Sequence, residues 1–136
     1  MSLESIFGIA GSALSAQSER ITLIAQNLAN ANSVQTAQGG PYLRRVAVFE
    51  PVQTGEGNNA GTGVKLAAVL RDQAAPHAVY DPSNPLADAS GMVKEPAVNP
   101  IFEMVDMMQA ARAYQANLSV VETARSAALN TLNLLK

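Results

Sequence analysis

From Asn99 to Lys136 the chain contains no glycine and a single proline, and that proline, Pro100, directly follows an asparagine. Asparagine is a preferred helix N-cap, and proline fits the first helical position, where its missing N–H satisfies nothing anyway. Nothing in the backbone then stops a helix before the chain ends. Along it Met104, Met107, Ala111, Tyr114, Leu118, Val121, Arg125, Ala128, Leu132 and Leu135 recur at alternating spacings of three and four, broken only by Arg125. That stripe is the seam of a helix packing lengthwise on another. At about 1.5 Å per residue the helix reaches roughly 54 Å, and it needs a partner of similar length.

The other terminus supplies one. Leu3, Phe7, Ala10, Leu14, Gln17, Ile21, Ile24, Leu28 and Ala31 repeat the spacing, broken only by Gln17. Ser2 is an N-cap candidate with Glu4 in the first turn, and asparagines at 30 and 32 suit a left-handed helix end near Ser33. The expected fold is therefore mainly α with a small β insert. Long N- and C-terminal helices pack as an antiparallel, coiled-coil-like hairpin, with the insert between them. An ordinary helical hairpin within a globular domain shows the same periodicity and stays open as an alternative.

The first helix carries little charge. Up to Ser33 only Glu4, Glu19 and Arg20 are charged, and the remaining polar positions are Ser, Thr, Gln and Asn among alanines. A water-facing helix usually carries Lys–Glu pairs. This composition instead suits a helix contacted on several sides, although an alanine-rich helix also tolerates small polar residues without such contacts.

Residues 34–98 differ in kind. They hold every proline except Pro100, and all glycines except Gly8 and Gly11. The boundaries predict a terminal-helix core, 1–33 and 99–136, and a β-rich insert, 34–98. Tyr42–Val52 and Val64–Arg71 read as two strands of a hairpin whose tip is the glycine-rich loop 54–63. His77–Asp81 and Gly91–Lys94 read as two shorter strands, separated by turns over Tyr80–Leu86.

Composition excludes several functions. A net charge of -2 with 15% charged residues lacks the basic stripe that nucleic acid demands. Without cysteine there are no disulfides or thiolate metal sites. No apolar run approaches the ~20 residues of a membrane span, and no basic, apolar leader opens the chain, so export, if it occurs, is expected without a cleaved signal. Gly55–Ala60 matches G-x-G-x-x-A, but a strand follows it where a phosphate-binding helix is needed. His77 is the only histidine and no nucleophile is positioned beside it. Asp81 and Asp88 fit turn chemistry and match no calcium loop. Met104, Met107 and Met108 suit a helix seam better than an adaptable binding surface. No catalytic residue, cofactor site, metal site or small-molecule substrate is expected. A cytoplasmic coiled-coil adaptor or secretion chaperone is the alternative for a chain of this pattern.

Three segments carry a resemblance: Gln26-Asn27-Leu28-Ala29-Asn30-Ala31-Asn32-Ser33; Tyr80-Asp81-Pro82-Ser83-Asn84-Pro85; and Val98-Asn99-Pro100 followed by Glu103 through Tyr114-Gln115-Ala116-Asn117. The chain resembles the bacterial flagellar basal-body rod proteins, most closely their small proximal-rod component. The match covers effectively the whole chain. Ser33 stands where that family often has threonine, which keeps the hydroxyl, and the glycine-rich loop matches no motif of the family. The resemblance implies a structural protein of the periplasm-spanning rod, exported through the flagellar type III apparatus without a cleaved signal. It implies polymerisation into a helical tube through the terminal helices, enclosing the export channel and transmitting torque. Implied partners are copies of itself, other rod proteins, the MS-ring/export-gate junction protein and the export apparatus. The assembly residues would be the seam positions Leu3, Phe7, Leu14, Ile21, Ile24, Leu28, Met104, Met107, Tyr114, Leu118, Val121, Leu132 and Leu135.

Overall fold

A computed structural model describes residues 3–54 and 61–134. Two helices, α1 (Leu3–Ala29) and α2 (Pro100–Leu134), enclose four strands, β1 (Arg45–Thr54), β2 (Gly61–Arg71), β3 (His77–Tyr80) and β4 (Met92–Glu95). The fold is the expected one: two long terminal helices with a small β insert. Ser2, Leu135 and most of the glycine-rich loop, Gly55–Ala60, lie outside the described residues.

Each helix end has a local cause. At the start of α2, Asn99 Oδ1 accepts the Ile101 N–H at 2.9 Å and its carbonyl accepts the Glu103 N–H at 3.1 Å. At the end of α1 the expected left-handed asparagine is not found; among the described residues only glycines have positive φ. The Asn30 side chain instead donates to the Gln26 carbonyl at 2.8 Å, and Ser33 N–H closes a further turn on the Asn30 carbonyl at 3.0 Å. That carbonyl also accepts the Asn30 backbone N–H at 3.1 Å, so the side chain gives it a second bond and holds the last turn without a backbone reversal.

The helices run antiparallel. Asn27 reaches Glu103, Arg20 faces Asp106, and Leu3 and Ile6 share a groove with Ala124 and Ala127. Falling numbers on α1 thus meet rising numbers on α2. The last turns of α2 project past the start of α1. The second face of α1 takes the β1–β2 hairpin. Asn27 bonds Arg45 at one end, and at the other Ser12 Oγ accepts the Val64 N–H at 3.1 Å. This is why α1 is poor in charge: small side chains let a helix and a sheet close on it from two sides.

Within the hairpin, Arg45 opposes Arg71 and Thr54 opposes Gly61, with a register shift at Val48/Phe49 that leaves Ala67 without an opposite residue. The simple alternation of Val64, Leu66, Ala68 and Leu70 ends at this bulge, since one extra residue changes which face each side chain takes. Beyond it Val69 and Leu70 are exposed. β3 and β4 pair separately, His77 with Glu95 and Tyr80 with Met92. Val93 of β4 is buried, as are Ala31, Tyr42 and Val98, which cluster at the junction of insert and helices.

The hairpin lies close enough to α1 that Gly63 has no room for a side chain: a Cβ there would stand 2.5 Å from Ser12 Oγ and 3.0 Å from Thr54 Cγ2. Gly63→Val is expected to lift β2 from the helix and break the Ser12–Val64 hydrogen bond. Overpacking of this kind costs about 1–3 kcal/mol. A circular dichroism melt of the variant in a stabilising osmolyte should shift down accordingly from that of the unaltered chain, and an unchanged midpoint would show that the hairpin is not held here.

Candidate assembly interface and the junction behind it

The buried residues of α2 are Glu103, Ala110 and Ala124. Together with half-buried Met107, Tyr114, Asn117, Val121 and Ala128 they form a three-four stripe. It shares Met107, Tyr114, Val121 and Ala128 with the sequence-predicted seam. The alternate positions differ by one residue, so Met104, Leu118 and Leu132 are exposed in the single chain. The physical reason is the side-chain size. Alanine at 110 and 124 admits a closer neighbour than Met or Leu would, and interaxial distance follows the contacting side chains. On α1, Ile24 is buried, Leu14, Ile21 and Leu28 are half-buried, and Leu3 and Phe7 are exposed. The stripe of large apolar residues is therefore only partly used within one chain.

What remains uncovered is extensive. Ile101, Phe102, Met104, Val105 and Met108 are exposed within two turns of α2, followed by Leu118, Val120, Leu129, Leu132 and Leu134. So many large apolar side chains exposed on one helix make it a candidate surface for contact with another molecule. At the opposite end of the helix pair, Leu3, Ile6, Val120, Ala124 and Ala127 line an apolar groove of about 410 Å³.

Behind this surface lies a polar knot that sequence reading did not find. Asn27 is 1% exposed, yet every hydrogen-bonding position of its amide is used. Nδ2 donates to the Arg45 carbonyl at 2.9 Å and to Glu103 Oε2 at 3.1 Å. Oδ1 accepts the Tyr42 hydroxyl at 2.9 Å and the Arg45 N–H at 2.8 Å. Glu103, also 1% exposed, takes the Arg44 Nε–H on its other oxygen. Arg44 and Arg20 both reach toward Asp106, at 3.6 and 3.9 Å. Helix α1, the link between helix and hairpin, and helix α2 are thus tied at one point. The available signal was Glu103 itself, a lone acid amid Ile101, Phe102, Met104 and Val105.

The other motif residues are spread out. Asn30 and Ser33 close the end of α1, with Ser33 Oγ donating to Asn30 Oδ1, while Ala29 and Asn32 are exposed. Asn99 caps α2 and Pro100 begins it. Asn117 bonds back to the Ala113 carbonyl, and Gln115 is exposed. Tyr80 is exposed at the end of β3 and leads into Asp81-Pro82-Ser83. There the Ser83 hydroxyl and N–H bond the Asp81 carboxylate and hold it below the ordinary carboxylate pKa. Among the described residues no group of three or more His, Asp or Glu could hold a metal, and no helix is long and apolar enough to cross a membrane.

Residues 89–134, which include all of α2, match the family described as flagellar basal body rod FlgEFG protein C-terminal. Over nearly the whole chain there is also similarity to named proteins. The flagellar basal-body rod protein FlgC of Salmonella typhimurium is 51% identical over 134 residues, covering 98% of each chain. FlgC of Yersinia enterocolitica is 48% identical over the same share. FlgC of Borreliella burgdorferi is 34% identical over 151 aligned positions, covering 100% of this chain and 99% of the relative. The chain belongs to the FlgC family of flagellar basal-body rod proteins. Membership in the FlgC family makes it a structural subunit of the flagellar basal-body rod, and nothing supports the cytoplasmic adaptor or chaperone reading.

The knot defines how a FlgC-family chain should respond to substitution. Arg44→Met strands the buried Glu103 carboxylate, and breaking one side of a buried pair costs about 3–5 kcal/mol. Arg44→Met combined with Glu103→Gln removes both charges, keeps an acceptor for Asn27 Nδ2, and should cost less than Arg44→Met alone. Thermal melts in a stabilising osmolyte should show the double variant above the single one; the reverse order would mean that the pair does not act as a unit.

Burial raises the Tyr42 phenol above its ordinary pKa, helped by the neighbouring Glu103 and opposed by Arg45. The folded chain therefore holds this proton more tightly than the unfolded chain. Its contribution is full below the ordinary phenol pKa and is lost as pH rises through it towards the raised folded value. In a stabilising osmolyte, alkaline unfolding should begin earlier in the native chain than in Tyr42→Phe, once both are normalised to their neutral-pH stability.

Proposed function

We propose that this chain assembles into the proximal part of the flagellar rod through its terminal helices. Segments 1–33 and 99–136 act as the axial assembly domain and 34–98 as a positioning insert. Neighbouring subunits, both copies of this chain and other rod proteins, cover the exposed stripe of α2 and the apolar groove at the start of α1. The helices then line a tube that encloses the export channel and carries torque. The carrying observation is the row of large apolar residues that α2 exposes, while the positions it buries within the chain are Glu103 and two alanines. A rod layer of this kind also meets the MS-ring/export-gate junction protein, and the chain reaches it through the flagellar type III apparatus without a cleaved signal. Its role is structural and not enzymatic.

The thin internal core supports a further part of this reading: order in the helices depends on assembly. Among the described residues, five of the ten buried hydrophobic ones are alanine. Gln17 Oε1 is buried without a hydrogen-bond partner, and such an atom costs about 1–3 kcal/mol. Neighbours that bind only the folded form would supply the missing stability by mass action. Amide exchange across residues 5–28 and 104–132 is expected to be fast in the isolated chain and slow in purified basal bodies. Slow exchange in a verified monomer would show that the helix pair is self-sufficient.

Leu118→Asp and Leu132→Asp place charges on the exposed stripe, where the single chain loses little. They should abolish incorporation into basal bodies, and with it motility, at normal cellular levels of the protein. Motile strains with normal incorporation would show that this face of α2 is not the assembly surface.

A further inference from the structure

Between α1, the start of β1 and α2 lies a second pocket, of about 280 Å³, with Leu23 and Ile24 in its lining and Arg20, Arg44, Arg45 and Asp106 as its charged residues. Its charges do not balance. With Glu103 included, three guanidiniums meet two carboxylates, in a chain whose overall charge is negative. Glu103 is fully engaged by Arg44 and Asn27. Asp106 is shared between Arg44 and Arg20 at 3.6 and 3.9 Å, well beyond the ~2.7–2.9 Å of a charge-assisted hydrogen bond. Among the described residues the Arg45 guanidinium donates only to the neutral Gln26 Oε1, at 3.1 Å, and no carboxylate pairs with it. A guanidinium has five donors, so most of those on Arg20 and Arg45 are unused.

The surroundings indicate that this pocket is covered in the assembly. Phe102, one helical turn before Asp106 on the same face of α2, is 69% exposed, and Val105, three residues further on and adjoining it on the helix surface, is exposed as well. A charged recess with exposed apolar side chains next to it has the anatomy of an interface centre. Covering it with apolar groups alone would bury an excess positive charge, which is strongly unfavourable. We infer that the Arg20–Arg44–Arg45 pocket receives an acidic side chain, aspartate or glutamate, from an adjoining protein subunit. The incoming carboxylate completes the charge balance by pairing with Arg45 and Arg20, and apolar residues flanking it pack on Phe102 and Val105. This rests on the assembly reading above and adds the chemistry of one contact to it.

Carbodiimide joins a lysine amine to a carboxylate in direct contact with it, so Arg45→Lys, which keeps the charge, turns the contact into a covalent mark. Mass spectrometry of treated, purified basal bodies should find position 45 linked to an aspartate or glutamate of another subunit, whether a second copy or a different rod protein. A link confined to Asp106 or Glu103 of the same chain, or no link from a variant that is present in the basal bodies, overturns the inference. The neutral variant Arg20→Gln/Arg45→Gln gives a second readout. Its recovery in basal bodies should fall about tenfold or more, with Arg45→Lys retaining assembly, because losing one side of a buried interfacial charge pair is costly. Undiminished recovery of the double variant also overturns the inference while leaving the assembly reading intact. Absence of the unaltered chain from basal bodies would instead defeat the assembly reading itself.

Discussion

The hydrogen bonds of Asn27 are the constraint on which the rest of the structure depends. A buried primary amide has two donors and two acceptor positions, and leaving any of them empty costs free energy. Here all four are used by groups from three separate segments: the Arg45 backbone, the Tyr42 hydroxyl and the Glu103 carboxylate. Apolar contacts between alanine-rich helices tolerate sliding and rotation. This amide does not, because a shift of one residue would empty several bonds together. It sets the register of α1 against α2, the rotation of α2 about its axis, and the point where the hairpin leaves the helices. The stripe buried on α2 begins at Glu103, where the amide bonds it, not at Met104, where hydrophobicity alone would start it.

That rotation has a consequence for the exposed surface. Turning Glu103 and the alanines inward turns Met104, Leu118 and Leu132 outward. The chain is closed on itself by small side chains and a polar tie, and its larger apolar side chains are left for neighbours. Polar ties inside an interface fix geometry more than they add stability. On the assembly reading proposed above, this combination gives a defined shape on which neighbours can register and leaves part of the free energy of order to them.

The architecture was legible from the sequence because its signals are local and periodic. Asn99-Pro100 marks a helix start whatever surrounds it, and four strands follow from short apolar runs between turns. Even the closeness of packing on α1 was visible in its missing charge. The knot was not legible, because nothing periodic links Asn27, Tyr42, Arg44 and Glu103; they lie up to 76 positions apart. The bulge at Ala67 escaped for a related reason. Alternation over Val64–Arg71 is compatible with an unbroken strand, and only the pairing with β1 shows that one residue has no opposite. In both cases the deciding information is which distant residue lies across, and a pattern read along one chain cannot hold it.

The same reasoning separates two kinds of polar residue in this chain. Asn30, Ser33, Asp81, Asp88 and Asn99 bond backbone or side-chain groups within four residues, and their effect is to shape one turn each. Asn27, Arg44 and Glu103 bond across the molecule and fix the relation between segments. A change at a residue of the first kind is absorbed locally, because water can reach the turn and replace the lost partner. A change at one of the second kind leaves a group stranded where water does not reach. Arg20 and Arg45 fall between these cases: Arg20 stands 3.9 Å from Asp106 and Arg45 bonds the neutral Gln26 amide, and both side chains remain open to whatever lies beyond the chain. The knot thus ends in unspent hydrogen-bonding capacity at its outer edge, and the interactions that order one subunit can continue into the next.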